Sequence, residues 1–117
     1  MRESKRFSKG IKKVLVDIDE TISTYTGKRI YALASPLKHN IKKINKLYDE
    51  GWHVTYWTAR GSVSKVDTYE FTWKQLSEWG CRFHDLIVGF REGPTCYPTK
   101  PHFDLVIDDK SKRIEEI

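Results

Sequence analysis

Several protein classes are excluded by what the chain lacks. It has only two cysteines in 117 residues, Cys81 and Cys96. That is too few for a disulfide framework, and neither has a partner at the spacing of a zinc site. Both are expected as reduced thiols in a cytoplasmic protein. No apolar run approaches the roughly 18–20 residues of a membrane span, so no membrane partner is expected. Basic residues near the start are not followed by an apolar stretch, so no secretory signal is expected. There is no repeat, no low-complexity tract and no linker. A broad basic surface is missing too. The net charge of +5 is carried by residues 1–13, with six Lys or Arg against one acid, while the remaining residues hold fifteen of each sign. A basic arm could touch phosphates, but a solvated terminus is the simpler expectation. The chain therefore divides into a flexible basic arm over residues 1–10 and one domain over 11–117.

The pattern that is present alternates strand and helix. Val14 to Ile18 is apolar without alternation, as a strand buried on both faces is. Residues 21–34 are polar and aromatic around Gly27, which suggests a small hairpin. Ser35-Pro36 supplies an N-cap and a first-turn proline. Leu37, Ile41, Ile44, Leu47 and Tyr48 then recur at helical spacing until Gly51. Trp52 to Trp57 is the second strand. Asp67 and Glu70 form a capping pair for a second helix with Tyr69, Trp73 and Leu76 as its apolar stripe and Gly80 as its stop. Leu86 to Val88 and Leu105 to Ile107 are the third and fourth strands, and a last helix is expected over residues 110–117. The four tryptophans are expected in core packing rather than base stacking. This alternation predicts an α/β fold with a three-layer, Rossmann-like parallel sheet.

The carboxylates sit where such a sheet places its ligands, beyond the carboxyl ends of the strands. Successive strand residues face opposite sides, so Asp17 and Asp19 reach one point only where the first strand becomes loop. The second strand ends in Thr58-Ala59-Arg60 and the fourth in Asp108-Asp109. These groups converge only if the first strand is central, which gives the spatial order third, second, first, fourth (3-2-1-4). Uncompensated, four carboxylates in one crevice repel by an amount on the order of several kcal/mol. A hard cation such as Mg²⁺ relieves that repulsion and draws in an anionic substrate, phosphate first of all. One carboxylate can then attack phosphorus, and a second can trade protons with the leaving group and with water. Thr58 and Lys100 would hold the phosphoryl oxygens.

The motifs Asp17-Ile-Asp19-Glu-Thr21, Thr58 in Trp-Thr-Ala-Arg60, Lys100 in Thr-Lys-Pro and Ile-Asp108-Asp109-Lys stand in the order of the haloacid dehalogenase (HAD) superfamily, which the chain resembles from about residue 12 onward. The resemblance implies Asp17 as nucleophile and Asp19 as acid/base. It implies Mg²⁺ held by the Asp17 carboxylate, the Asp19 main-chain carbonyl and Asp108, with Asp109 as ligand or outer partner. An acid at position 19 is similar to phosphatases and phosphotransferases rather than dehalogenases. Thr21, Arg60 and His102 are the candidate substrate contacts. Arg60 would bind the leaving group or form a salt bridge within its loop. Tyr25, Arg29 and Tyr31 lie on the segment the family uses as a flap.

Two departures accompany the resemblance. Residues 90–99 are longer than the expected link before the last motif, which makes Arg91 an alternative to Lys100. Neither interval between motifs can hold a cap domain, so a capless site is expected, open to large substrates or lidded by another subunit of a homo-oligomer. Looser similarity to capsule and surface-polysaccharide phosphatases implies a sugar phosphate or similar small phosphorylated metabolite. A polynucleotide end phosphatase or nucleotidase is the alternative. A phosphoacceptor receiver domain has its acidic pair first and its threonine late, which is not the order here.

Overall fold

The computed structural model describes residues 11–27, 30–91 and 103–108. Within them the chain forms an α/β domain. Its strands are β1 (Lys13–Asp17), β2 (Ser23–Thr24), β3 (Ser35–Pro36), β4 (His53–Trp57), β5 (Asp85–Ile87) and β6 (Leu105–Ile107), and its helices are α1 (Lys38–Asp49) and α2 (Tyr69–Glu78). β5, β4, β1 and β6 lie side by side in that order, and every neighbouring pair is parallel. β1 is thus flanked by β4 and β6. Both helix crossovers step the same way across the sheet, and the right-handed sense of such connections puts α1 and α2 on one face.

Apolar side chains from sheet and helices make the core. Val14, Val16, Val54, Tyr56, Leu86 and Ile107 come from the strands, Ile41 and Ile44 from α1, and Leu76 from α2. Each fully buried aliphatic contributes about 1.5–3 kcal/mol relative to exposure. β1 alternates in burial, with Val14 and Val16 buried and Leu15 only half-buried, which differs from the uniform burial its apolar run suggests. The helix expected over 110–117 lies outside the described residues. So do the basic arm, Cys96 and residues 92–99 of the long segment. Cys81 is buried, and burial pushes its thiol up to about 12, so it is protonated at neutral pH.

Three local expectations differ from the structure. Ser35-Pro36 does not start α1. It pairs as β3 antiparallel to β2, and α1 begins after Leu37 without a side-chain cap. The Leu37 N–H, bonded to the Ile22 carbonyl, continues that ribbon. Glu70 does not close a capping box with Asp67. The Asp67 Oδ1 instead accepts the Tyr69 N–H at 2.9 Å from just before the helix. The inward face of α2 holds Thr72 and Gln75 beside Leu76, while Trp73 and Trp57 are each 38% exposed rather than in the core.

Candidate active site

The edge at the carboxyl ends of the strands is shaped first by backbone. After β1 the chain reverses over Ile18 to Ser23, with the Ile22 N–H bonded to the Ile18 carbonyl and Glu20 at φ +70°. The reversal turns Asp19 toward the end of β4. There the Thr58 N–H bonds to the Ile87 carbonyl of β5, and the Thr58 side chain is fully buried. The loop then turns tightly at Gly61 (φ +88°), where a Cβ would lie 2.3 Å from the Val66 carbonyl oxygen. Gly89 closes the same corner, because a Cβ there would lie 2.5 Å from the Ala59 oxygen. Only glycine permits those two approaches.

Asp19 is the centre of a dense polar cluster. Its Oδ2 accepts from Thr58 Oγ1 at 2.9 Å and from Arg60 Nε at 3.3 Å. Its Oδ1 accepts from Arg60 Nη2 at 2.9 Å, from the Tyr25 hydroxyl at 2.5 Å and from Ser23 Oγ at 3.4 Å. Burial raises the Asp19 carboxyl, but donation from Arg60, then Tyr25, with the Arg60 charge and Thr58 added, outweighs it and leaves the pKa below the ordinary value. Asp19 is therefore ionised at neutral pH. The Tyr25 hydroxyl shifts the other way, raised by burial and then by the carboxylate it serves.

Arg60 is 1% exposed, an unusual place for a guanidinium. Besides its two bonds to Asp19, its Nη1 donates to Gln75 Oε1 at 2.7 Å and to Thr72 Oγ1 at 3.4 Å, and its Nη2 donates to the Tyr25 hydroxyl at 3.4 Å. The guanidinium also lies over the Tyr31 ring, 4.7 Å from its centroid. Of the two sequence expectations for Arg60, the structure shows the salt bridge, extended from the loop to Asp19. Thr72, Gln75 and the Tyr31 ring are partners that sequence reasoning missed. The available signal was the helical spacing that puts Thr72 and Gln75 on the face of Leu76.

The remaining candidates divide into two groups. Asp17 ends β1, and Asp108 follows β6. The last residues paired between these strands are Val16 and Ile107, which immediately precede Asp17 and Asp108, so both acids come at the carboxyl ends of neighbouring strands. Thr21 is buried, and its carbonyl accepts Asn40 Nδ2 of α1 at 2.9 Å. Arg91, the alternative cation, stacks over the Tyr69 ring at 3.7 Å. Lys100, His102, Asp109 and Arg29 lie outside the described residues. The structure thus brings Asp19, Thr58 and Arg60 into direct contact and puts Asp17 and Asp108 on the same sheet edge.

No family model and no curated protein matches the chain. A solved structure does: the crystal structure of an MCSG target from Vibrio cholerae has a TM-score of 0.65 over 91% of this chain and 86% of that one, with 20% sequence identity. The likeness is one of fold.

Proposed function

We propose that the chain is an Mg²⁺-dependent phosphomonoesterase of the HAD superfamily, with a Rossmann-like, capless fold, acting through an aspartyl phosphate on Asp17. One observation carries the reading. Asp19, two residues past the end of a central parallel strand, bonds to Thr58 at the end of the neighbouring strand, and Asp17 and Asp108 stand on the same edge. A structural reading of the cluster alone accounts for the Asp19–Arg60 pair, but not for a second acid, Asp17, at the end of β1 or for Asp108 just past the end of β6.

The donor set suits a hard cation, because every group offered is oxygen. Among the described residues no group of three His, Cys, Asp or Glu is placed to hold a metal. Of the expected ligands, the Asp19 carboxylate is engaged by Arg60, so that residue would offer its main-chain carbonyl, and Asp109 lies outside the described residues. Asp17, the Asp19 carbonyl, Asp108 and Asp109 would hold Mg²⁺, which would neutralise phosphoryl charge. An Asp17 oxygen attacks phosphorus, and the ester P–O bond breaks as Asp19 gives its proton to the leaving oxygen. Water then attacks phosphorus and yields its proton to Asp19, and inorganic phosphate leaves Asp17. The ionised resting Asp19 is ready for the second step and must gain a proton for the first. Thr58 and Lys100 would hold the phosphoryl oxygens, the Thr58 hydroxyl turning to them from Asp19 when substrate binds, and Thr21 and His102 would be substrate contacts.

A sugar phosphate or similar small metabolite is the favoured substrate, with a homo-oligomer partner as lid. The polynucleotide alternative gains support from one feature. A concavity of about 530 Å³ runs along α1, with Lys42, Lys43, Lys46 and Arg82 among its lining residues.

The test is a screen of sugar phosphates, nucleotides and end-phosphorylated oligonucleotides with Mg²⁺. Asp17→Asn is expected to lower turnover by at least about a thousandfold with an unchanged melting temperature, and chelation is expected to silence the wild type. Normal turnover by Asp17→Asn would refute the nucleophile.

A further inference from the structure

We propose that Arg60 is a positioning residue for Asp19 and not a ligand of the substrate, an inference that rests on the phosphoryl-transfer reading above. A guanidinium has five N–H donors and no acceptor. Here all five have protein acceptors: two go to Asp19, two to Gln75 and Thr72 of α2, and one to Tyr25. None remains for a phosphate or a leaving group, and the side chain is shut away from solvent.

The arrangement also has a direction. Gln75 is held at both ends of its amide, accepting from Arg60 at 2.7 Å and donating through Nε2 to the Tyr31 carbonyl at 2.8 Å. Its orientation is therefore set by the bonds themselves. Gln75 and Thr72 fix one edge of the guanidinium to the rigid helix, and the Tyr31 ring covers its face. The opposite edge presents Nε and Nη2 to the two oxygens of Asp19. A single contact would leave the carboxylate free to swing. A fork on both oxygens sets its plane. Two polar residues on the inward face of α2 thus act on Asp19 through Arg60, and the neighbouring ribbon acts through Tyr25 and Tyr31.

The inference separates from its rivals by leaving group. Proton donation matters most for an alkoxide and least for a nitrophenolate. Turnover of β-glycerol phosphate and p-nitrophenyl phosphate would be measured with Mg²⁺ for the wild type, Arg60→Lys, Gln75→Met, Asp19→Asn and the Asp19→Asn/Arg60→Lys double variant. Lysine keeps the charge but lacks the fork. Arg60→Lys is expected to lose at least about tenfold more kcat/KM on the glycerol ester than on the nitrophenyl ester, because kcat/KM reports the step in which the leaving group departs, with KM for both within about twofold. Gln75→Met, which keeps the guanidinium, is expected to show the same preference more weakly. The double variant is expected to be no slower than Asp19→Asn alone, because Arg60 acts through that carboxylate. A rise in KM on both esters with unchanged leaving-group preference would make Arg60 a substrate ligand. Equal kcat/KM losses on both esters, with the double variant slower than Asp19→Asn, would make it merely structural. Either result overturns the assignment while leaving the phosphatase reading intact. A wild type with no turnover that Asp17→Asn removes ends the phosphatase reading, and the positioning role with it.

Discussion

Among the described residues stand two forked Arg–Asp pairs of nearly identical chemistry. Arg82 grips Asp49 with Nε at 3.2 Å and Nη2 at 2.6 Å, and Arg60 grips Asp19 with Nε at 3.3 Å and Nη2 at 2.9 Å. Their surroundings are opposite. The Arg82 and Asp49 side chains are 48% and 58% exposed, whereas those of Arg60 and Asp19 are 0% and 10% exposed. By distance alone the surface fork is the tighter one. Water and salt reduce its value to about 0.2–1 kcal/mol. The buried fork has exchanged water for Gln75, Thr72, Tyr25 and the Tyr31 ring, and each charge there depends on the other. Geometry is shared by the two forks; dependence on a partner belongs to the buried one.

Substitution should separate them most sharply. Arg60→Ala leaves the Asp19 charge buried without its partner and is expected to cost about 3–5 kcal/mol in urea unfolding. An effect below about 1 kcal/mol would mean that water replaces the guanidinium and that the pair is not truly dry.

Acid provides the next contrast. The folded Asp19 carboxyl lies below its ordinary value of 3.8, so its stabilisation is complete above that value and disappears as pH falls through the lower folded value. Wild-type unfolding midpoints are expected to fall below about pH 4 in a step that Asp19→Asn lacks. A separate, earlier step should come from His84. Burial, and then the nearby His53, lower its imidazole, and its Nδ1 accepts the Val54 N–H at 3.0 Å. That stabilisation is present above about pH 6.5 and is lost as pH falls through the lower folded value. An Asp19→Asn variant that kept the full step below pH 4 would remove Asp19 as its source.

The smallest effect is expected at the surface. Arg82→Ala should change stability by less than about 1 kcal/mol, and that difference should shrink further in high salt. A loss as large as that of Arg60→Ala would show that exposure does not decide the worth of these pairs.

The sequence made legible what depends on local pattern. Apolar runs ending in Asp17, Thr58 and Asp108 marked β1, β4 and β6, and the spacing of Ile41 and Ile44 marked α1. What it concealed depends on contact across the chain. Ser35-Pro36 carries a strong helix-start signal, yet pairing with Ser23–Thr24 takes those residues into a ribbon. Sequence places Trp73 on the α2 stripe because a tryptophan normally outranks a threonine for burial. The Arg60 guanidinium reverses that ranking by requiring oxygen acceptors on the inward face, which Thr72 and Gln75 provide. Contact between Asp19 and Thr58 was readable as convergence at one sheet edge. The capture of Asp19 by a wholly buried arginine was not, because nothing local to Arg60 shows that it lacks water.

Glu20 has an L side chain at φ +70°, where a residue other than Gly, Asn or Asp carries about 1–2 kcal/mol of strain. What this position accepts is therefore decided by torsion more than by charge. A Gly or Asn there would relax the hinge without moving its neighbours. A Val or Ile would open the reversal and swing the preceding aspartate out of its nest of donors, so the torsion at this one position holds the carboxyl edge of the sheet in shape.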